Sequence, residues 1–462
     1  MKFAPVINLM FDNKKFNNVV VSKDSDLHHA MKKISKNNYG LVLVIDNDNN
    51  KVIGLVTDGD IRRFLLDHGD VNVLVTECMI NEFSFVRAGC PREDIIKLLD
   101  YNVHFIPVLD SEGCLVDLVS SGYNHQKSHE VSRARTPARI SLAGGGTDFT
   151  QYFMDQGGAG LSCTIAKYSH AVLRKRKDQK IKIYSHDYKQ KIEIERIENI
   201  KYDGKLDLIK AGIKLLKPKF GFDLEVGCDF PPASGLGGSA SLLASVIGCL
   251  NEFREPRLDR YEIAEYAFES ERIELKIAGG WQDQYSTVFG GFNYLEFDRQ
   301  HNVVMPLRLE PDNIRELEES FILCHTKQTH LGGTMQEDNC GSGTFTKKQE
   351  KNSERLKDIT TEMKRYLLRT RYDDFALLLE ETWAIKKESN PRVTNAELDK
   401  IHATAINAGA LGGRLLGTGG GGYFLFYAPP FYRYQVIESL EKIGLNPEAI
   451  IIDQKGLSSW QI

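Results

Sequence analysis

The segment Pro231-Pro232-Ala233-Ser234-Gly235-Leu236-Gly237-Gly238-Ser239-Ala240-Ser241 constrains this chain more than any other. Three glycines in four positions allow left-handed backbone angles and let a ligand approach the main chain closely. The loop runs directly into Leu242 to Leu250, a strong helical pattern. Backbone N–H groups at a helix start, at the positive end of its dipole, form a cradle for an anion. Ser239 falls in the first helical turn, where its hydroxyl either caps the helix or ligates Mg²⁺ on bound phosphates. Glycines alone are equally compatible with a tight turn. No Gly-Lys-Ser/Thr follows, so the loop is not a Walker A loop, and its glycine spacing is not that of a Rossmann fingerprint.

The 462 residues imply two or three domains. Apolar content of 42% and charged content of 26% are those of a folded soluble protein. A net charge of -4 leaves no electrostatic footprint for nucleic acid, and the basic run Arg174 to Lys177 reads as a solvated strand end. No apolar run approaches the roughly 20 residues of a membrane helix. The first residues lack the apolar core and cleavage site of a signal peptide, so a cytoplasmic location is expected. The eight cysteines contain no CxxC pair, which argues against a disulfide framework and a structural zinc site.

Residues 1–125 read as a separate unit. Strands are expected at Tyr39-Ile45 and Val52-Val56, around an Asp/Asn turn, and a helix at Asp60-His68. The order recurs with a helix at Arg92-Tyr101 and strands at His104-Leu109 and Cys114-Val119, suggesting an internal duplication. The stretch Gly54-Leu55-Val56-Thr57-Asp58-Gly59-Asp60-Ile61-Arg62 resembles the first half of a CBS pair, a Bateman module. Such modules often bind adenine nucleotides. Thr57 and Asp60 would stand at a strand-to-helix junction, where a hydroxyl and amides meet a phosphate and a carboxylate holds ribose hydroxyls. The matching stretch Leu118-Val119-Ser120-Ser121-Gly122 has no acid in place of Asp60, so at most one such site is expected. A module that only dimerises is the alternative. Residues 126–132 are polar and read as a linker.

Three further segments of the second unit carry chemistry. In Thr136 to Asp148, apolar residues alternate as in a strand up to the triplet Gly144-Gly145-Gly146, and Thr147 and Asp148 follow. In Gly412 to Phe426, the glycines Gly419, Gly420, Gly421 and Gly422 are costly to order unless backbone must pass close to a ligand or another loop. Tyr261 to Ile277 reads as one amphipathic helix, with Glu262, Glu265, Glu269, Arg272 and Lys276 on its solvent face. Glu271 falls among its apolar residues, where a buried carboxylate needs a metal or an ion-pair partner. Ala278 to Gly291 then presents Asp283 on a loop.

These segments, in this order, resemble the GHMP kinases. The resemblance implies an α+β chain: a CBS pair, then a two-lobed kinase with an S5 domain 2-like lobe at 133–320 and a ferredoxin-like lobe at 321–462. It implies ATP held by Ser234, Gly235, Leu236, Gly237, Gly238, Ser239 and Ala240, with the Gly419–Gly422 loop closing over it. Gly238 departs from the family pattern by standing where a first serine usually lies. Mg²⁺ would sit on Ser239 and Glu271. Asp283 would be the catalytic aspartate, supported by Arg139, and Gly145, Gly146, Thr147 and Asp148 would hold the sugar.

The pieces LAGGGTDF, AGGWQDQY and ALGGRLLGTGGGGYFLFY resemble the heptose 7-phosphate kinase branch of that family. That branch implies phosphorylation of an anomeric hydroxyl, with Lys386, Lys387, Arg392 and Arg414 as candidates for the substrate phosphate. A kinase of a free sugar such as fucose, and a catalytically silent nucleotide sensor, are the rival readings. A homodimer or higher homo-oligomer is expected.

Overall fold

The computed structural model describes residues 16–37, 39–101, 103–120, 130–328 and 347–462. The chain divides into two units, Met1–Ser128 and His129–Ile462.

The first unit repeats one motif twice. Strand Val20–Ser22 pairs in parallel with Leu41–Ile45, which pairs antiparallel with Val52–Thr57. Val86–Arg87, Phe105–Leu109 and Leu115–Ser120 repeat that arrangement, with a register shift at the equivalent place. Helices Leu27–Asn37, Asp58–His68 and Arg92–Asp100 complete the unit. Leu41, Leu43, Leu109 and Leu115 form one cluster, so the two halves share a core. Ser121 and Gly122 of the second half lie outside the described residues.

The second unit holds two sheets. The larger runs in the order Gln190–Ile194, Ile181–Ser185, Phe222–Cys228, Gly158–Lys175, Phe292–Phe297, Asn302–Pro306. Val131–Ala143 also pairs with Gly158–Lys175 and with Ser458–Gln461. Two sequence boundaries are thereby corrected. Val131 and Ser132, expected in the linker, already belong to a strand, where the Ser132 hydroxyl bonds the buried Cys249 carbonyl. The last residues, expected in the second lobe, return to the first lobe's sheet because Leu457 packs into that lobe's core.

Helix Gly238–Asn251 lies inside this lobe and is buried from Ala240 to Asn251. That placement explains why its sequence is apolar on every side. The smaller sheet runs Gly412–Leu415, Tyr423–Tyr427, Phe321–His325, Pro447–Glu448. Helices Lys347–Leu368, Tyr372–Ser389, Ala396–Asn407 and Arg433–Lys442 belong to the same part of the chain. The helix Tyr372–Ser389 packs so closely that a Cβ on Gly412 would lie 2.0 Å from the Ala376 carbonyl oxygen.

The single helix expected over Tyr261 to Ile277 is broken. An α-helix spans Arg260–Phe268, and a π-helix follows over Glu269–Glu274. The wider turn changes the angular phase. Ile273 turns out to solvent, and Arg272, expected on the solvent face, turns inward with its side chain 8% exposed.

Candidate active site

Strand Val131–Ala143 delivers Arg139 to the centre of the second unit. Its guanidinium donates from Nε and Nη2 to the two carboxylate oxygens of Asp283, at 2.8 and 2.7 Å. Nη1 donates to the Gly235 carbonyl, which ties the pair to the glycine-rich loop. Asp283 is not on a loop. It lies in the first turn of helix Gln282–Phe289, which fixes its direction. Burial alone would raise its carboxyl, but the Arg139 charge and hydrogen bonds, with Arg272 beyond, hold it below the usual range.

In the glycine-rich loop, Gly237 adopts φ +73° and serves as the N-cap of helix Gly238–Asn251, with no side-chain cap. The capping role considered for Ser239 is therefore absent, and Ser239 lines a cavity instead. Ser234, Gly235, Gly237 and Gly238 line the same cavity. Leu236 and Ala240 are buried in the core and do not. The Ser234 hydroxyl is buried without a partner among the described residues, as expected of a group that awaits a ligand. A Cβ at Gly238 would already lie 3.3 Å from the Phe230 ring, so a serine there would crowd that ring.

The second glycine run packs on the first. The Tyr423 N–H donates to the Ser234 carbonyl at 3.1 Å. A Cβ on Gly422 would lie 2.4 Å from that carbonyl oxygen, and one on Gly417 would lie 2.5 Å from the Gly235 Cα. Gly419 and Gly421 line the cavity, while the Gly420 N–H is bonded to the Val393 carbonyl.

Asp148 is buried, and its carboxylate accepts the N–H groups of Gly146 at 3.0 Å and Gln282 at 2.9 Å. Burial raises its carboxyl, the two amides oppose that, and the nearby Asp283 adds to it. A Cβ on Gly280 would lie 2.0 Å from its Oδ2, which accounts for the glycine before Trp281. Gly145, Gly146 and Asp148 line a second cavity, but Thr147 does not. The Thr147 hydroxyl lies 2.8 Å from the carbonyls of Gly144 and Ala159 and holds the turn.

The two cavities differ in size. One, of about 600 Å³, runs from the glycine-rich loop past Asp187, Tyr188 and Leu206 to Glu271. The other, of about 190 Å³, lies between Asp148, Gln282 and the helices Lys347–Leu368 and Tyr372–Ser389. Both are lined by Arg139, Arg272, Asp283, Gly417 and Thr418, so they meet at the Arg139–Asp283 pair.

Glu271 lines the larger cavity and accepts from Gln284 Nε2 at 2.9 Å, with Arg272 Nη2 at 3.5 Å, so its ion-pair neighbour is an arginine. Burial pushes its carboxyl up. No group of three or more acidic, histidine or cysteine side chains gathers among the described residues. Mg²⁺ on a nucleotide takes only one or two protein oxygens and draws the rest from phosphates and water. Glu271 and Ser239 both line the larger cavity and supply two such oxygens.

Of the four proposed phosphate ligands, the structure brings two to the smaller cavity, Lys386 and Arg414. Lys386 Nζ donates to the carbonyls of Leu415 at 3.2 Å and Gly417 at 2.6 Å. Burial, then the charges of Arg414 and Arg139, pushes its amine well down. Arg414 donates to the Leu142 carbonyl and Thr382, and its Nε is without a partner among the described residues. Lys387 instead lies 3.7 Å from Asp399 and over the Trp383 ring, and Arg392 is exposed outside the cavity. Sequence reasoning missed Arg272, Gln282 and Asp187-Tyr188 as lining residues. Only a foreseen π-turn could have pointed Arg272 inward.

In the first unit, Thr57 caps helix Asp58–His68 in a reciprocal capping box with Asp60, whose carboxylate also pairs with Arg63. Both side chains are thus already engaged with each other.

A large cavity on a glycine-rich helix start, joined at an aspartate to a smaller one, is the plan of a small-molecule kinase. The comparisons agree. The chain matches the GHMP kinases N terminal domain over residues 207–291, GHMP kinases C terminal over 363–444, and the CBS domain over 13–67 and 75–122. It is 36% identical to the D-glycero-alpha-D-manno-heptose 7-phosphate kinase of Campylobacter jejuni, over 71% of this chain and 99% of that protein. A crystal structure of a sugar kinase from Campylobacter jejuni superposes with a TM-score of 0.61 at 34% identity, covering 73% of this chain and 100% of that one. A D-glycero-D-manno-heptose 1-phosphate kinase from Bacteroides thetaiotaomicron gives 0.61 at 27% identity, covering 72% and 99%. The chain belongs to the GHMP kinase family and is a sugar kinase preceded by a CBS pair. GHMP kinases use ATP as co-substrate. No described helix is long and apolar enough to cross a membrane.

Proposed function

We propose that the chain transfers the γ-phosphoryl group of ATP to the anomeric hydroxyl of D-glycero-D-manno-heptose 7-phosphate, giving the 1,7-bisphosphate for a surface polysaccharide precursor. The observation that carries this is the junction of two cavities at Asp283. The larger cavity takes the nucleotide, with its phosphates on the amides of Gly235 to Ser239. The smaller takes the sugar, with hydroxyls on Asp148. The acceptor oxygen forms a bond to the γ-phosphorus, and the bond to the β–γ bridging oxygen breaks with its electrons leaving on ADP. The hydroxyl proton passes to Asp283, which Arg139 orients. Ser239 and Glu271 would hold Mg²⁺, which would supply charge neutralisation on the phosphates.

The lining of the smaller cavity favours a phosphorylated acceptor. Arg139, Arg272 and Arg414 line it beside Lys386, whose amine burial pushes well down, and Asp148 and Asp283 are the acids among its described lining residues. A buried excess of cations is costly without an anion. In the first unit, adenine-nucleotide binding at Thr57 and Asp60 and assembly of a homodimer or larger oligomer are our reading of the CBS pair.

The test is ADP release against heptose 7-phosphate, fucose and galactose. Turnover with heptose 7-phosphate at least tenfold more efficient than with either free sugar is expected. Activity on free fucose alone would make the phosphate assignment wrong, and no activity on any acceptor would favour a silent nucleotide sensor.

A further inference from the structure

We propose that Arg272 is a further catalytic residue, whose guanidinium contacts the phosphoryl group in transit between the two cavities. The inference rests on the kinase reading above but not on the identity of the sugar.

Three observations carry it. Arg272 lines both cavities, beside Arg139 and Asp283. Its side chain is 8% exposed, and its Nε is a buried donor without a partner among the described residues. Its other end is fixed, because Nη1 donates to the Ala278 carbonyl at 2.7 Å and the Ile277 carbonyl at 3.3 Å.

The guanidinium is therefore anchored at Nη1, with Nε unpartnered among the described residues and Nη2 in a long ion pair with Glu271. The Nε–Nη2 edge carries two parallel N–H bonds, the pattern that phosphoryl oxygens accept bidentately. Among the described residues the Glu271 carboxylate approaches that edge, at 3.5 Å, too far for a good hydrogen bond. Burying an arginine with an open edge is costly unless a ligand completes it.

The surrounding sequence is shaped to keep it there. The π-turn Glu269–Glu274 rotates Arg272 inward, and π-turns recur at functional sites. Gly279 leaves the space, since a Cβ there would lie 2.2 Å from the guanidinium. Arg139 is less free for this role, because its paired Nε–Nη2 edge is committed to Asp283 and one Nη1 N–H to Gly235. In the transfer, negative charge spreads over the equatorial oxygens while the bond to ADP breaks and the bond to the acceptor oxygen forms. A fixed cationic edge at the seam stabilises that charge more than it stabilises bound ATP.

The full-length enzyme with Arg272→Gln and Arg272→Lys tests this. For Arg272→Gln, kcat should fall roughly 10²- to 10³-fold while the affinity for a non-hydrolysable ATP analogue changes by less than about threefold. Guanidinium ion in the buffer should restore part of the lost turnover. Arg272→Lys should be intermediate, since it keeps charge but loses the paired edge. The second readout needs no acceptor: affinity for ADP with aluminium fluoride, a mimic of the transferring group, should drop at least tenfold in Arg272→Gln. A kcat within threefold of wild type, or equal losses for the fluoride complex and the ATP analogue, would show that Arg272 only braces the Ile277–Gly279 turn. If the wild-type enzyme turns over no acceptor, the functional reading fails, and the fluoride comparison still decides the role of Arg272.

Discussion

Arg139 and Asp283 lie 144 positions apart and share two hydrogen bonds, of 2.8 and 2.7 Å. The pair sits where the two cavities join. Removing the carboxylate's charge while keeping its shape should separate chemistry from binding. Asp283→Asn is expected to lower turnover by roughly two to four orders of magnitude, with ATP still bound. Stopped turnover assays beside calorimetric ATP titration check both halves, and normal turnover in this variant would remove the role assigned to Asp283.

The same pair sets an acid limit. Burial raises the Asp283 carboxyl from its ordinary 3.8, and Arg139 more than reverses that. A depressed folded value means that the ionised pair stabilises the fold above the ordinary aspartate range, and that this is lost as pH falls through the lowered value. Arg139→Met leaves only the more distant Arg272 charge to oppose the burial effect. The acid limb of kcat should then move to higher pH than in wild type, and the fold should lose up to about 3 kcal/mol at neutral pH. Activity profiles from pH 4 to 8 and denaturant melts measure these two effects.

Glu271 should make the magnesium requirement depend on pH. Burial holds its carboxyl above the usual range. Protons therefore compete with the metal at a higher pH than they would at an exposed glutamate. The magnesium concentration for half-maximal activity should rise from pH 8 to pH 5.5, and Glu271→Gln should abolish that rise while raising the requirement at every pH. A magnesium dependence identical in wild type and variant would place the metal elsewhere.

Gly422→Ala tests the contact between the two glycine runs. Its φ is +99°, and the added methyl would lie 2.4 Å from the Ser234 carbonyl oxygen. The left-handed angle alone costs about 1–3 kcal/mol. A lower melting temperature and weaker ATP binding are expected together, because the collision pushes on the phosphate loop itself. Weakened stability with unchanged ATP affinity would mean the two runs are not coupled.

In the first unit, Thr57→Ala should destabilise the CBS pair by about 1 kcal/mol even without nucleotide, because it removes the cap of helix Asp58–His68. Calorimetry of the full chain with AMP, which lacks the phosphates the kinase site needs, should give heat in wild type and none in Thr57→Ala. No heat in wild type would leave the unit a dimerisation module.

Local chemistry was legible from the sequence wherever one segment carries its own constraint. The glycine-rich loop and its buried helix, and the doubled strand and helix pattern of the first unit, follow from residue periodicity and backbone freedom. Other features depend on partners distant in the chain. Leu236 and Ala240 read as loop residues around a ligand, yet packing draws both into the core. Lys386 and Lys387 are neighbours in sequence, and only the first reaches the cavity, because successive helical residues point about 100° apart.

The amino-acid sequence by itself determined the two units and the order of the functional segments, since each rests on short stretches whose backbone demands are local, and the kinase class followed from the resemblance of those segments to the GHMP kinases. The tertiary structure decided the rest. It turned Arg272 inward through a π-turn, set Asp283 in a helical turn instead of a loop and left Thr147 bracing a turn. It also returned the C-terminal strand to the first lobe. Each of these outcomes depends on which buried groups find hydrogen-bond partners across long sequence separations, a balance that no local pattern encodes.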